Sequence, residues 1–189
     1  MLEELSNIYA SEGHRCLTST KINSAILNLE KALLLNNNHY EAMNMLGLCY
    51  YTKGRLKEAE SVWKRSSCIE SGDDNKSIRY LGYLTENKFK QQCVVYNNAL
   101  MYMKEGRYKK AVEIMEGCSL EESNIILFIK LKGLCESALG NSKESVRLWK
   151  KILKINEEDT EAVRYILCDV ESKKNKRSIY DYIKGILKK

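Results

Sequence analysis

The sequence contains no proline, and its 189 residues include only two histidines, two tryptophans and two phenylalanines. Proline is the residue that most strongly interrupts a helix, so its absence leaves helices free to run to their full length. Lysine, leucine, glutamate and alanine, which all favour the helix, are frequent. This composition predicts an all-α fold.

The motifs of catalytic and metal sites are also missing. The two histidines, His14 and His39, stand 25 positions apart, and neither belongs to an H-E-x-x-H motif. There is no glycine-rich phosphate loop and no G-x-S-x-G nucleophile motif. We therefore expect a protein that is not an enzyme and that has no catalytic residue, no metal site and no cofactor.

The seven cysteines are spaced too widely for a C-x-x-C or zinc-ligand pattern, since neighbouring ones are at least 17 positions apart. Their odd number and spacing favour free thiols in a reducing compartment. The first residues are acidic and amphipathic, and the longest apolar runs are only a few residues long. No signal peptide or membrane span is expected, and the predicted location is the cytoplasm.

The excess of positive over negative charge is confined to one end of the chain. Residues 173–189 carry seven basic residues and one acidic residue, while residues 1–172 contain 24 of each sign. A nucleic-acid-binding face would need basic residues clustered along the body of the protein. The balanced body therefore argues against a nucleic-acid partner.

The clearest positive signal is a pair of amphipathic helices over residues 40–70, YEAMNMLGLCYYTKGRLKEAESVWKRSSCIE. Met43, Leu46, Gly47 and Tyr50 form one helical stripe, and the stripe resumes after a Gly-Arg turn. The resumed stripe consists of Leu56, Ala59, Val62 and Trp63. Small and large residues thus alternate where two helices would approach each other closely.

This pattern recurs with a period of 34 residues. Gly47, Ala59 and Trp63 correspond to Gly13, Ala25 and Leu29 on the N-terminal side. A second in-phase series begins with Ala99, Ala111 and Met115 and is repeated as Gly133, Ser145 and Trp149. The period and the small-large alternation resemble the tetratricopeptide repeat family.

The resemblance implies an all-α, right-handed α-solenoid of antiparallel helix pairs with a C-terminal capping helix. We expect one domain over residues 1–189, with repeats at about 6–39, 40–73, 92–125 and 126–159 and a cap at 160–189. Residues 74–91 are an irregular insert whose Leu81-Gly82 pair resembles Leu46-Gly47. The insert is interpreted either as a degenerate repeat that runs into a long helix at 87–104 or as a lone helix that fills a seam.

In this family, the first helix of each repeat lines a concave peptide-binding groove. The matching positions imply a mainly apolar groove formed by Asn44, Leu48, Tyr51, Tyr96, Leu100, Met103, Leu127, Lys130 and Leu134. Such a surface suits an amphipathic helix or an extended apolar peptide of another protein. Tyr51, Tyr96 and Leu100 are core instead if residues 74–91 or the last helix fold inward.

Members that bind chaperone tails hold a terminal carboxylate with lysine, asparagine and arginine side chains. The corresponding positions here are occupied by Ala10 with His14, by Met45, and by Cys93 with Asn97. This clamp is absent, so a chaperone C-terminal tail is not the expected partner.

The expected function is a non-catalytic protein-interaction scaffold that binds another protein, a peptide or itself. The alternative is a self-associating assembly or regulatory module that forms a homodimer. A lesser alternative is a peripheral membrane adaptor that uses the basic amphipathic helix at 178–189, whose apolar stripe includes Ile179, Tyr182, Ile183 and Ile186.

Overall fold

The computed structural model describes residues 1–69, 75–118 and 120–172, and these residues form helices without any strand. The helices are α1 (Leu2–Thr18), α2 (Ile22–Leu35), α3 (Tyr40–Lys53), α4 (Leu56–Ser67), α5 (Lys76–Thr85), α6 (Asn87–Lys104), α7 (Tyr108–Gly117), α8 (Ile126–Ala138), α9 (Ser142–Ile155) and α10 (Thr160–Ser172). A short 3₁₀ helix, Leu120–Ser123, lies between α7 and α8. The predicted all-α class is confirmed. The predicted helix at 178–189, with its capping or membrane-binding role, lies outside the described residues.

The chain divides into two compact units, which are described separately. The first comprises residues 1–90 together with 156–158, and the second comprises residues 91–155 and the chain from 159 onward. The single domain predicted from the sequence, with its repeat boundaries, remains a prediction.

The first unit is built from antiparallel helix pairs. Ser6 at the start of α1 donates a hydrogen bond to the carbonyl of Ala32 near the end of α2. Gly13 in the middle of α1 lies against Leu29 of α2, which stands one turn before Ala32. In the next pair, Gly47 of α3 lies against the ring of Trp63 on α4. These contacts are the close helix approaches that the small residues predict.

Helix α5 packs on α4 through aromatic side chains. The rings of Trp63 and Tyr80 have centroids 5.3 Å apart. Asn75 caps the start of α5 by accepting a hydrogen bond from the backbone N–H of Ile78 at 3.1 Å. Residues 76–85 of the predicted insert therefore form a regular, capped helix next to the second repeat.

Residues 156–158 of the first unit hold the start of α2. The side-chain oxygen of Asn156 accepts a hydrogen bond from the backbone N–H of Ile22 at 3.1 Å, and Glu158 accepts one from that of Ser24 at 2.9 Å. Desolvation raises the pKa of Glu158, but the hydrogen bonds from Ser24 and Asn23 and the charge of Lys21 outweigh it and leave the pKa below its usual value. Since α2 has no cap of its own, these side chains satisfy its free amide groups.

The second unit repeats the same packing. Gly133 of α8 lies against the ring of Trp149 on α9, and the hydroxyls of Ser137 and Ser145 are hydrogen-bonded at 2.6 Å. Trp149 in turn stacks on Tyr165 of α10, with ring centroids 4.3 Å apart. One aromatic side chain thus joins three successive helices.

The turn between α1 and α2 differs from the others in the residue that adopts a positive φ. Gly54, Gly106 and Gly140 adopt left-handed backbone conformations in the later turns, but Thr20 holds a φ of 56° in the first. A β-branched residue is strained in this region, whereas asparagine tolerates it. The first turn therefore contains a strain that the other turns avoid.

We expect Thr20→Asn to raise the free energy of unfolding by about 1 kcal/mol, because it relieves this strain without adding the flexibility of glycine. The urea midpoint should increase at an unchanged m-value. Gly54→Thr is the matched reverse change and should lower the midpoint. Equal stability of wild type and Thr20→Asn would contradict a strained Thr20.

Candidate functional site

The groove residues predicted on α3 differ in their exposure. The side chain of Asn44 is only 5% exposed, and its oxygen accepts a hydrogen bond from Ser66 Oγ at 2.9 Å. Its backbone carbonyl accepts another from the Trp63 indole N–H at 3.2 Å. Asn44 therefore joins α3 to α4 inside the first unit and is not accessible to a peptide, contrary to the sequence-based expectation. Leu48 is half-buried.

Tyr51 lies between two other aromatic rings. Its ring centroid is 6.0 Å from that of Trp63 and 5.7 Å from that of Phe89. Phe89 comes from the predicted insert and is itself buried. The insert thus contacts Tyr51 through Phe89, and Tyr51 stays half-buried.

On α6, the predicted groove residues are Tyr96, Leu100 and Met103. Met103 is 5% exposed and belongs to the core of the second unit, so it too differs from the expectation of an accessible groove residue. Leu100 and Tyr96 are half-buried. Tyr96 stacks on Phe128 with ring centroids 5.1 Å apart, and burial raises the pKa of its hydroxyl. This contact brings α6 and α8 together, which are the first helices of two predicted repeats.

On α8, Leu127 and Leu134 are half-buried, whereas Lys130 is part of an ion-pair cluster. The Lys130 ammonium lies 3.0 Å from a carboxylate oxygen of Asp159 and 2.5 Å from one of Glu161. Asp159 also caps α10 by accepting a hydrogen bond from the backbone N–H of Ala162 at 2.9 Å. Two carboxylates thus neutralise the cation that the sequence places in the groove.

Sequence reasoning did not find the two phenylalanines that contact the predicted tyrosines. Phe89 lies outside the repeat register, and Phe128 stands next to the groove position Leu127. Both could have been noticed as the only phenylalanines of the chain. Their contacts with Tyr51 and Tyr96 depend on how helices pack, which the repeat pattern does not specify.

The buried cysteines are suited to packing in the core and not to acting as thiolate nucleophiles. Burial raises the pKa of Cys49 and of Cys135 to about 12, so both remain neutral thiols near neutral pH. Within the described ranges, no group of three or more histidine, cysteine, aspartate or glutamate side chains is placed to hold a metal ion. None of the helices in the same residues is long and apolar enough to span a membrane.

Comparison with known families matches one part of the chain to a repeat family. The family model of the tetratricopeptide repeat matches residues 40–65, which comprise α3 and most of α4. A comparison with solved structures also aligns the chain to the crystal structure of YrrB, described as a TPR protein with an unusual peptide-binding site. That similarity has a TM-score of 0.41 and 15% sequence identity, and it covers 93% of this chain and 80% of that chain. No curated protein matches the sequence.

We expect Lys130→Met to lower the free energy of unfolding by about 1–2 kcal/mol, because it leaves the buried Asp159 carboxylate without its cation. Chemical denaturation at neutral pH measures the change. Lys21→Met is a suitable control, since it removes an exposed pair with Glu157 and should change stability by less than about 0.5 kcal/mol. Equal effects of the two substitutions would show that the Lys130 cluster is no stronger than a surface pair.

Proposed function

We propose that this chain, which carries a tetratricopeptide repeat at residues 40–65, is a non-catalytic scaffold that binds a peptide or helix of another protein. We assign one contact surface in each unit, and each consists of half-buried apolar residues on the first helices of the predicted repeats. In the second unit these are Tyr96, Leu100, Leu127 and Leu134, and in the first unit they are Leu48 and Tyr51.

The observation that carries the proposal is the incomplete burial of the four residues in the second unit. Neighbouring positions on the same helices, including Ala99, Met103 and Ile129, are at most 5% exposed and form the core. Large apolar side chains that remain partly exposed together provide the area from which binding free energy is gained. The stacked pair of Tyr96 and Phe128 also makes this surface rigid, which lowers the entropic cost of binding.

The charges near this surface favour an apolar ligand over a carboxylate. Lys130 is the basic side chain among the predicted groove residues, and Asp159 and Glu161 neutralise it. A terminal carboxylate would have to compete with both for this cation. We therefore expect selectivity to come from apolar side chains at helical spacing.

The chain is proposed to act in the cytoplasm, where its cysteines would remain thiols.

The test begins with selection of amphipathic helical peptides that bind the full chain from a displayed library. We expect Tyr96→Ala and Leu100→Ala each to weaken the selected peptide by about tenfold or more, since each removes an apolar contact. Fluorescence anisotropy gives the affinity, and the melting temperature should change by less than about 4 °C. Leu139→Ser, an exposed apolar residue of the α8–α9 turn, should leave affinity unchanged. Unchanged affinity with a large loss of melting temperature would mark Tyr96 and Leu100 as core only.

The second candidate function is self-association, and an apolar stripe on α1 favours it. Leu2, Leu5 and Ile8 lie on this helix and are all exposed. Apolar residues of this kind on one helix are typical of interfaces between subunits.

If this stripe forms a homodimer, sedimentation velocity should show a concentration-dependent dimer that the double variant Leu5→Ser, Ile8→Ser abolishes. A monomer at every concentration would exclude the assembly function and would not contradict the peptide-binding proposal.

A further inference from the structure

The exposed side of α9 consists entirely of basic residues. The exposed residues of this helix are Lys143, Arg147, Lys150 and Lys154, and all its other residues are half-buried or buried. Spacings of four, three and four positions place these four side chains on one side of the helix, over a length of about 16 Å. We call this surface the basic face of α9.

Most of the charge on this face has no counter-charge. Arg147 forms an ion pair with Glu144 at 2.6 Å. Among the described residues, no carboxylate is close enough to pair with the ammonium group of Lys143, Lys150 or Lys154. Three cations of the basic face are therefore available to a partner.

The opposite side of α9 fixes the helix within the second unit. Leu148, Trp149 and Ile152 are fully buried. The Trp149 ring lies against Gly133 of α8 and stacks on Tyr165 of α10. Since this apolar side is enclosed by the fold, a partner of α9 meets its basic face.

The packing of a second helix does not require this charge, as the repeat period shows. Thirty-four positions before Arg147 and Lys150, α7 carries Glu113 and Glu116, which are both exposed. The same places on a second helix thus accept either sign of charge. The basic character of this surface is confined to one helix.

The charge pattern also disfavours the helix that carries it. Like charges three or four positions apart on a helix repel each other, and neighbouring members of the basic face all have this spacing. Lys143 in addition lies in the first turn of α9, where the helix dipole favours negative charge. A local pattern that costs helix stability without serving the packing is typical of a functional surface.

The shape of the surface favours a protein segment over a lipid bilayer. A surface cavity of about 550 Å³ at the start of α9 is lined by Asn141, Lys143, Glu144 and Arg147, and a carboxylate side chain entering it would meet two cations. A bilayer surface has no side chain that enters such a cavity. Interfacial helices also insert apolar side chains, and the basic face has none.

The same residues argue against a nucleic acid. Single-stranded nucleic acids are bound by stacking their bases on aromatic side chains, and no aromatic residue of α9 is exposed. A duplex is bound by basic residues spread over a wider surface than one helix. Charge complementarity therefore favours an acidic protein segment.

We propose that the basic face of α9 binds an acidic helical segment of a partner protein. The glutamates of this segment repeat the spacing of four, three and four positions, so that each carboxylate lies opposite one cation. Exposed ion pairs are screened by salt, so binding depends strongly on ionic strength. The basic face shares no residue with the groove of the proposed function and is a second, separate site.

The probe is a fluorescein-labelled helical peptide of alanine and glutamine that carries four glutamates at this spacing. Fluorescence anisotropy with the full chain at low ionic strength should show saturable binding. We expect the affinity to fall by about tenfold or more when the salt is raised to about 0.15 M. Two control peptides, one with glutamine for every glutamate and one with the glutamates distributed around the helix, should bind about tenfold more weakly.

The double variant Lys143→Glu, Lys150→Glu in the full chain is decisive. We expect at least about a tenfold loss of peptide affinity. The melting temperature should stay the same or rise, because the reversal replaces repulsion by attraction between side chains three or four positions apart. Lys57→Glu, Lys109→Glu changes the net charge equally at exposed lysines of α4 and α7 and should alter the affinity by less than about threefold. Tyr96→Ala should leave it unchanged, which separates this site from the proposed groove.

Three results would overturn the proposal. The first is no saturable binding, or an equal loss of affinity in the two double variants, which would reflect net charge alone. The second is tighter binding, at the same salt concentration, to phosphatidylserine vesicles than to the peptide, which would make a membrane surface the occupant. The third is tighter binding to a DNA duplex of mixed sequence, which would make a nucleic acid the occupant.

Discussion

The close approach of two helices at a small residue is the constraint on which the rest of the structure depends. At Gly47, the absence of a side chain lets the Trp63 ring lie directly on the backbone of α3, and the indole N–H reaches the carbonyl of Asn44. A methyl group in this place would overlap the ring. Trp63 and Trp149 are therefore buried in their helix pairs because the facing positions, Gly47 and Gly133, have no side chain, and this complementarity sets the packing of these helices.

The same constraint decides which side chains remain available at the surface. The glycine side of a first helix packs against the second helix of the same pair. Part of its remaining surface packs against neighbouring helices. What is left on α6 and α8 is a set of partly exposed apolar residues with Tyr96 stacked on Phe128. The proposed apolar binding surfaces are thus consequences of how the helices distribute their apolar residues.

Position within the repeat predicted which way a side chain points more reliably than it predicted how deeply that side chain is buried. One of the two interpretations of the insert placed a long helix at 87–104, where α6 lies, and the small residues Gly47 and Gly133 were expected between helices, as the structure shows. Asn44 and Met103, however, are core residues. Their burial depends on the side chains that pack around them, such as Ser66 next to Asn44. A period of 34 residues carries no information about those neighbours.

The sequence by itself determined the helical class, the helix pairs and the glycines and alanines that permit them, because these depend on local propensity and on spacing along one helix. Only the tertiary structure decided that Phe89 packs on Tyr51 and that Asp159 and Glu161 neutralise Lys130. These contacts join residues that are distant in sequence. No periodic pattern in a single chain specifies which distant side chains come within contact distance, because that is settled by the packing of whole helices.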